Sequence, residues 1–171
     1  MMNNFLPNIK PNQTDKFIKI NNNKIFPINT YVLRFDGCCK GNPGIGGSGA
    51  VIYYNDKEIW TKTQFVGNNT TNNIAEYNGL IIGLQGAIDL NIKTLFVEGD
   101  SKLIINQMNG DFKVNSHSLI DLYARAKELT KHFQYITFNH IDRKFNKRAD
   151  EICNISVNKI VKHDDIKLLK I

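Results

Sequence analysis

Asp36, Glu76, Asp100 and Asp150 stand where a fold could turn carboxylates to chemistry. Asp36 closes the apolar run Tyr31-Val32-Leu33-Arg34-Phe35 and opens a glycine-rich stretch, Gly37 to Gly49. Asp100 closes a second run, Thr94-Leu95-Phe96-Val97-Glu98-Gly99. Glu76 falls in the first turn of an expected helix and Asp150 opens another. Carboxylates at the ends of parallel strands face the ligand crevice of an open α/β sheet. Grouped together they repel one another, which implies a cation. Hard oxygen ligands suit Mg²⁺ or Mn²⁺ over zinc, and two such ions about 4 Å apart clamp the attacking and leaving oxygens of a phosphodiester displacement. A single Asp after a strand is ordinarily a turn former or a cap. The weight lies in the comparable placement of all four, which Asp56, Asp89, Asp111, Asp121, Asp142, Asp164 and Asp165 do not share.

The elements that must position these acids are legible from Thr30 onward. Tyr31–Phe35, Ser48–Tyr54 and Glu58–Phe65 read as strands, the last two joined by the turn Asn55-Asp56-Lys57, so they form an antiparallel meander. The polar loop Gly67–Asn73 ends in good N-cap residues, and Ile74, Tyr77, Ile81, Leu84 and Ile88 then recur at helical spacing. Gly83 in that helix is expected to allow close approach to the sheet. Leu95–Glu98 is a fourth strand, parallel to its neighbour because a helical crossover precedes it. Ser101 caps a short helix, a longer one follows over about Leu119–Phe133, Tyr135–Ile141 is a fifth strand, and a last helix runs from Asn146 or Lys147 to Val161. The order βββαβααβα predicts an α/β fold, a five-stranded mixed sheet with helices on both faces. Residues 30–162 form this domain. Residues 1–29, rich in Asn, Lys and Pro, are expected to be an extension with little independent structure; a turn at Asn21-Asn22-Asn23 between two short strands is the alternative. Residues 163–171 form a basic tail.

At 171 residues the chain is long enough to bury a core. A net charge of +6 favours an anionic partner, nucleic acid above all, or simply aids solubility. Three cysteines, two of them adjacent, make no disulfide framework and no zinc motif, which points to reduced thiols and an intracellular location, cytoplasmic or nuclear. No apolar run is long enough to span a bilayer, and the N-terminus resembles neither a signal nor a transit peptide.

Four blocks in order, DGCCKGNPGIGGSGAV, TTNNIAEYNGLIIGL, FVEGDSKLIINQ and HIDRKFNKRAD, resemble ribonuclease H of type 1 over about residues 30 to 160. The resemblance implies a ribonuclease H-like fold and a monomeric endonuclease that cuts the RNA strand of an RNA–DNA hybrid, leaving 5′-phosphate and 3′-hydroxyl ends. It implies that Asp36, Glu76, Asp100 and Asp150 bind two Mg²⁺ or Mn²⁺ ions. His140, ten residues before Asp150, is similar to the mobile histidine of the bacterial branch; its alternative is a satisfied histidine at a strand end. The flanking block looks more like the archaeal and reverse-transcriptase-like branch, in which an Arg at the position of Arg143 takes part near the site; its alternative is a phosphate-facing surface cation.

An enzyme that requires RNA on one strand must sense 2′-hydroxyls. The backbone amides of Gly37 and Cys38 and the side chains of Asn42, Asn72 and Asn73 offer such contacts, and the resemblance puts substrate-contacting residues there. Thr71 and Asn115 resemble parts of a pocket for a DNA-strand phosphate. Each Asn could equally serve a turn or cap. Cys38 and Cys153 need be no more than packing residues. The basic insertion common in the bacterial branch is replaced by Asn109–Ser118 with a single lysine, Lys113, so the cations of the C-terminal region, Lys144, Lys147, Arg148 and Lys159 among them, become candidates for backbone contact. Two alternatives stand beside the hybrid nuclease. A 3′–5′ exonuclease is disfavoured because Asp36-Gly37-Cys38 lacks the Asp-x-Glu pair. A non-catalytic or differently specific nucleic-acid-binding protein on the same fold is disfavoured because all four acids are present.

Overall fold

Glycine decides the shape of the hairpin that opens the five-stranded sheet. Strands β3 (Tyr31–Gly41) and β4 (Gly44–Tyr54) pair antiparallel along their whole length, from Tyr31↔Tyr54 to Gly41↔Gly44. The glycine-rich stretch after Asp36 is therefore ladder, and the strands are longer than the sequence suggested. Glycine weakens a strand interior, but here helices lie so close that side chains would not fit. Beyond them, β5 (Lys57–Thr70) pairs with β4 and also outruns its expected end. In the computed structural model the backbone of residues 17–20, 24–27 and 29–168 and the side chains of residues 29–161 are described.

Helix α1 (Asn72–Asp89) is capped by Thr71, whose hydroxyl accepts the Ile74 N–H at 3.4 Å. Glu76 is the fifth residue of the helix, just past the first turn in which it was expected. Strand β6 (Thr94–Gly99), helices α2 (Lys102–Asn109) and α3 (His117–Thr130), strand β7 (Tyr135–His140), a single 3₁₀ turn (Arg143–Phe145) and helix α4 (Lys147–Leu168) complete the order. The sheet runs β5-β4-β3-β6-β7, with β6 parallel to both β3 and β7. This is the five-stranded mixed sheet that the order of elements predicts. Helix α4 continues past Val161 into residues 163–168, and the tail expected to be basic has Asp164 and Asp165 against Lys167 and Lys170. Ahead of the domain, β1 (Phe17–Ile20) and β2 (Lys24–Pro27) pair antiparallel, so the short-strand alternative holds for this part of the extension. Residues 1–16 and 21–23, on which the rest of that expectation falls, lie outside the described residues.

One face of the sheet packs Leu33, Phe35, Ala50, Ile52, Leu95 and Val97 against Tyr77, Leu80 and Leu84 of α1 and Ile104 and Met108 of α2. At Gly83 a β-carbon would lie 2.4 Å from Leu33 Cδ1, so the expected close approach is present. Helix α4 covers the other face with Ala149, Ile152, Cys153 and Val157. Among the described residues, no helix is long and apolar enough to cross a membrane.

On the α4 side a buried ion pair joins the two central parallel strands. Arg34 and Glu98 are register partners. Arg34 Nε and Nη2 donate to Glu98 Oε2 at 3.0 and 2.9 Å, and the side chains are only 8% and 1% exposed. Arg34 Nη1 also donates to the Phe145 carbonyl at 3.1 Å, and the guanidinium lies 5.4 Å from the Tyr53 ring centre. Removing one partner takes a close counter-charge away from a buried ionised group. Glu98→Gln or Arg34→Met alone should destabilise the protein by about 3–5 kcal/mol, whereas the double Arg34→Met, Glu98→Leu variant should recover much of the loss. Urea unfolding of the three variants measures this; equal losses for single and double variants would count against the pair.

Candidate active site

Three glycines bring the acid-bearing elements into contact. A β-carbon at Gly37 would sit 2.1 Å from the Glu76 nitrogen, so α1 rests directly on β3 beside Asp36. One at Gly79 would sit 2.6 Å from the Asp36 carbonyl oxygen. From the opposite face, one at Gly49, the register partner of Asp36, would sit 2.4 Å from the Cys153 nitrogen and 2.7 Å from the Ala149 oxygen. Ser48 fastens the α1 contact by donating its hydroxyl to the Ala75 carbonyl at 2.7 Å.

Asp36 is 7% exposed and accepts the Gly37 N–H on Oδ1 at 2.8 Å. It lies within β3, two residues beyond the last parallel partner of β6. Asp100 follows β6, and its Oδ1 accepts from Asn146 Nδ2 at 2.6 Å. The same amide donates to the Phe35 carbonyl at 2.9 Å. Asn146, itself 1% exposed, thus ties Asp100 to β3 at the entry to α4. Sequence reasoning noted it only as a helix start. Asp150 occupies the first turn of α4, and one of its oxygens lies 3.4 Å from Arg143 Nη2. Ligand atoms of Asp36, Asp150 and Cys153 all fall within 4.8 Å of one another.

The electrostatics carry the mark of crowding. Burial pushes the Asp36 carboxyl from its ordinary 3.8 up to about 8, and the charges of Asp100, Glu76 and Asp150 add to it. Burial likewise pushes Glu76 up to about 7, with Asp100 adding and a Ser101 hydrogen bond and Arg143 opposing. Glu76 Oε2 is buried without a hydrogen-bond partner. The three-residue group within 4.8 Å omits Glu76 and Asp100, yet both act on Asp36 through their charge. Crowded oxygen donors and an orphaned carboxylate oxygen fit a divalent cation.

The remaining expected residues divide. A cleft of about 550 Å³ is lined by Asn42, Thr71, Asn72, Asn73, Gln107, Lys113 and Asn115 with parts of α2 and α3. It gathers five of the expected substrate residues, and Asn42 Oδ1 accepts the Asn72 N–H at 3.3 Å. Gly37 and Cys38 are not among its lining residues, and the Gly37 amide serves Asp36. Buried Tyr77 donates its hydroxyl to Gln107 Oε1 at 2.7 Å, and Gln107 Nε2 donates to the Lys113 carbonyl at 3.3 Å, which holds the loop that carries Asn115. Tyr77 entered the sequence reading as an apolar position of α1, and neither residue was singled out for the site. His140 is exposed at the end of β7, its Nε2 3.2 Å from the Asp100 carbonyl oxygen. Arg148 is committed elsewhere: its guanidinium grips Glu58 with two contacts of 2.8 and 3.0 Å and reaches Glu151 at 3.1 Å. These pairs are exposed at the surface.

The family model described as reverse transcriptase-like matches residues 34–156. A bifunctional protein of Mycobacterium tuberculosis is 38% identical over 124 residues, covering 72% of this chain and 34% of that protein, so the chain spans about a third of its length. The solved N-terminal RNase H domain of that mycobacterial protein superposes with a TM-score of 0.75 at 35% identity, covering 79% of this chain and 98% of the domain. Ribonuclease HI of Halobacterium salinarum is 35% identical over 120 residues, 70% of this chain and 60% of the relative. LC11-RNase H1, solved in complex with an RNA/DNA hybrid, gives a TM-score of 0.72 at 30% identity over 77% of this chain and 99% of that one. The chain belongs to the ribonuclease H type 1 family.

The raised carboxyl groups have a consequence for stability. In the window from near 4 to about 8 the folded protein holds protons that the unfolded chain releases. Stability without metal should therefore fall as pH rises through that window and level off above it. Asp36→Asn should flatten the slope, and a saturating divalent cation should offset it. Thermal unfolding in chelator across this range measures it; a stability rising with pH and insensitive to Asp36→Asn would contradict the assigned shifts.

Proposed function

We propose that the chain is a hybrid-specific endoribonuclease that hydrolyses the RNA strand of RNA–DNA hybrids, giving 5′-phosphate and 3′-hydroxyl ends. What most supports this reading is the crowding of acid at Asp36, which lies close to Asp150 and feels the charges of Asp100 and Glu76, beside a polar cleft. The hybrid bound by LC11-RNase H1 supports the choice of substrate. The four carboxylates would hold two Mg²⁺ or Mn²⁺ ions. When bound, such a pair supplies an activated water and neutralises charge on the leaving oxygen.

The chain's own residues prepare that step. Asn146 fixes the Asp100 carboxylate by its 2.6 Å hydrogen bond. Arg143, beside Asp150, offsets negative charge at the rim, where the scissile phosphate arrives. His140 stands exposed next to Asp100 and is free to move a proton to the departing 3′-oxygen or to help product leave. Asn42, Asn72 and Asn73 offer donors and acceptors to 2′-hydroxyls, while Thr71 and Asn115 receive a phosphate of the DNA strand.

The test offers labelled RNA–DNA hybrid, duplex DNA and duplex RNA to the protein, with Mg²⁺ or with EDTA. Only the RNA of the hybrid should be cut, and only with metal. Asp36→Asn should abolish cleavage while the fold persists. Asn146→Ala should lower cleavage and metal affinity by about 10–100-fold, because it loosens a residue that orients a ligand. Near-normal activity of Asp36→Asn, or equal cutting of duplex DNA, would overturn the reading.

A further inference from the structure

The catalytic reading leaves one member of the carboxylate group without a role. Cys153 is fully buried under Asp36 and Asp150, and its Sγ lies within 4.8 Å of an oxygen of each. Its thiol donates to the Asp150 carbonyl at 3.1 Å. The pinning is tight, because Gly49 sits against the Cys153 nitrogen and Gly47 against its carbonyl oxygen. Magnesium has no use for this sulfur: it takes oxygen ligands and holds its waters. Zinc and cadmium take thiolate and carboxylate together.

We propose that Asp36, Asp150 and Cys153 form a site for a thiophilic dication, Zn²⁺ or Cd²⁺, which overlaps the catalytic centre and blocks it when filled. The proposal rests on Asp36 and Asp150 being the metal-binding acids of the proposed nuclease. Binding forms one metal–sulfur and two metal–oxygen bonds. The Cys153 S–H bond and, below about pH 8, the Asp36 carboxyl O–H bond break, both protons pass to solvent, the hydrated ion sheds waters, and the hydrogen bond to the Asp150 carbonyl is lost. Tetrahedral zinc, with bonds of about 2.0–2.3 Å, draws its ligands closer than 4.8 Å, so the three side chains must close on the ion as it binds. The fourth position goes to water or to the neighbouring Cys38 thiol. A dication against three anionic ligands leaves one negative charge, and the repulsion that loads Asp36 is relieved. Two of the acids needed for Mg²⁺ are then occupied.

The test uses the full chain freed of metal and titrated with Co²⁺, a spectroscopic stand-in for zinc. The unaltered protein should develop a near-ultraviolet thiolate-to-cobalt charge-transfer band that Zn²⁺ removes. Cys153→Ala and Cys153→Ser should bind Co²⁺ without that band. In Mg²⁺-supported hybrid cleavage, both variants should keep their activity and require at least about tenfold more Zn²⁺ for half-inhibition. Co²⁺ binding without the band in the unaltered protein, or equal zinc sensitivity of all three, would overturn the thiophilic site and leave the nuclease reading intact. Failure of the unaltered protein to bind any of Mg²⁺, Co²⁺ or Zn²⁺ would overturn both.

Discussion

A single buried guanidinium ties together three of the elements that carry the acids. Arg34 lies on β3 two residues before Asp36; its partner Glu98 lies on β6 two residues before Asp100. Side chains two apart in a strand share a face, so pairing the first two residues carries the second two toward the same edge. The third contact, to the Phe145 carbonyl, reaches the 3₁₀ turn directly ahead of Asn146 and α4, and thus the segment that delivers Asp150. A buried ion pair is a poor way to gain stability, since desolvation offsets most of the attraction. Its use here is one of register. An apolar pair could slide or repack; a fork aimed at one carboxylate and one carbonyl holds one alignment.

Register alone would leave the acids too far apart. The helices must also lie against the backbone, and that is the work of Gly37, Gly79 and Gly49, where any β-carbon would collide with backbone atoms of α1, β3 or α4. The same closeness that gathers the carboxylates desolvates them, and Asp36 holds its proton to about pH 8 as a result. The centre is therefore strained in one defined sense: its carboxyl groups crowd one another where burial already disfavours charge. Arg143 neutralises only one side of Asp150, from an exposed position where solvent weakens the interaction. Stability has been traded for a site that favours a dication.

Much of this was legible in the chain. Apolar spacing located α1, runs bounded by turn residues located the central strands, and the crossover between them required β6 to be parallel. The acids were readable because a strand end and a helix start are local features. What escaped depends on distant partners. The stretch from Gly37 to Gly49 resembles a loop because glycine lowers strand propensity, and only α1 and α4, encoded far downstream, explain why the ladder needs it. Arg148 resembled a free cation because Glu58 lies ninety positions away. Asn146 looked like a cap, yet its amide spans Phe35 and Asp100 across the sheet. Cys153 looked like small apolar filling, and it is that too; its nearness to Asp36 exists only after α4 has docked.

Helix α1 links the two halves of the site in one rigid body. Its cap, Thr71, and its first residues, Asn72 and Asn73, line the polar cleft; Glu76, one turn on, faces the acids. A helix advances about 1.5 Å per residue, so the distance from cleft to centre is fixed by backbone geometry and cannot drift with side-chain motion. The opposite wall is fixed too, because Tyr77 on the same helix clamps Gln107, which holds the loop bearing Asn115. On the proposed reading, the DNA-strand contacts and the acids facing the RNA strand are therefore spaced by one helix. A duplex of different groove width could fill the cleft or reach the acids, but not both at once. Discrimination between hybrid and duplex DNA would then rest on that fixed spacing as well as on the 2′-hydroxyls.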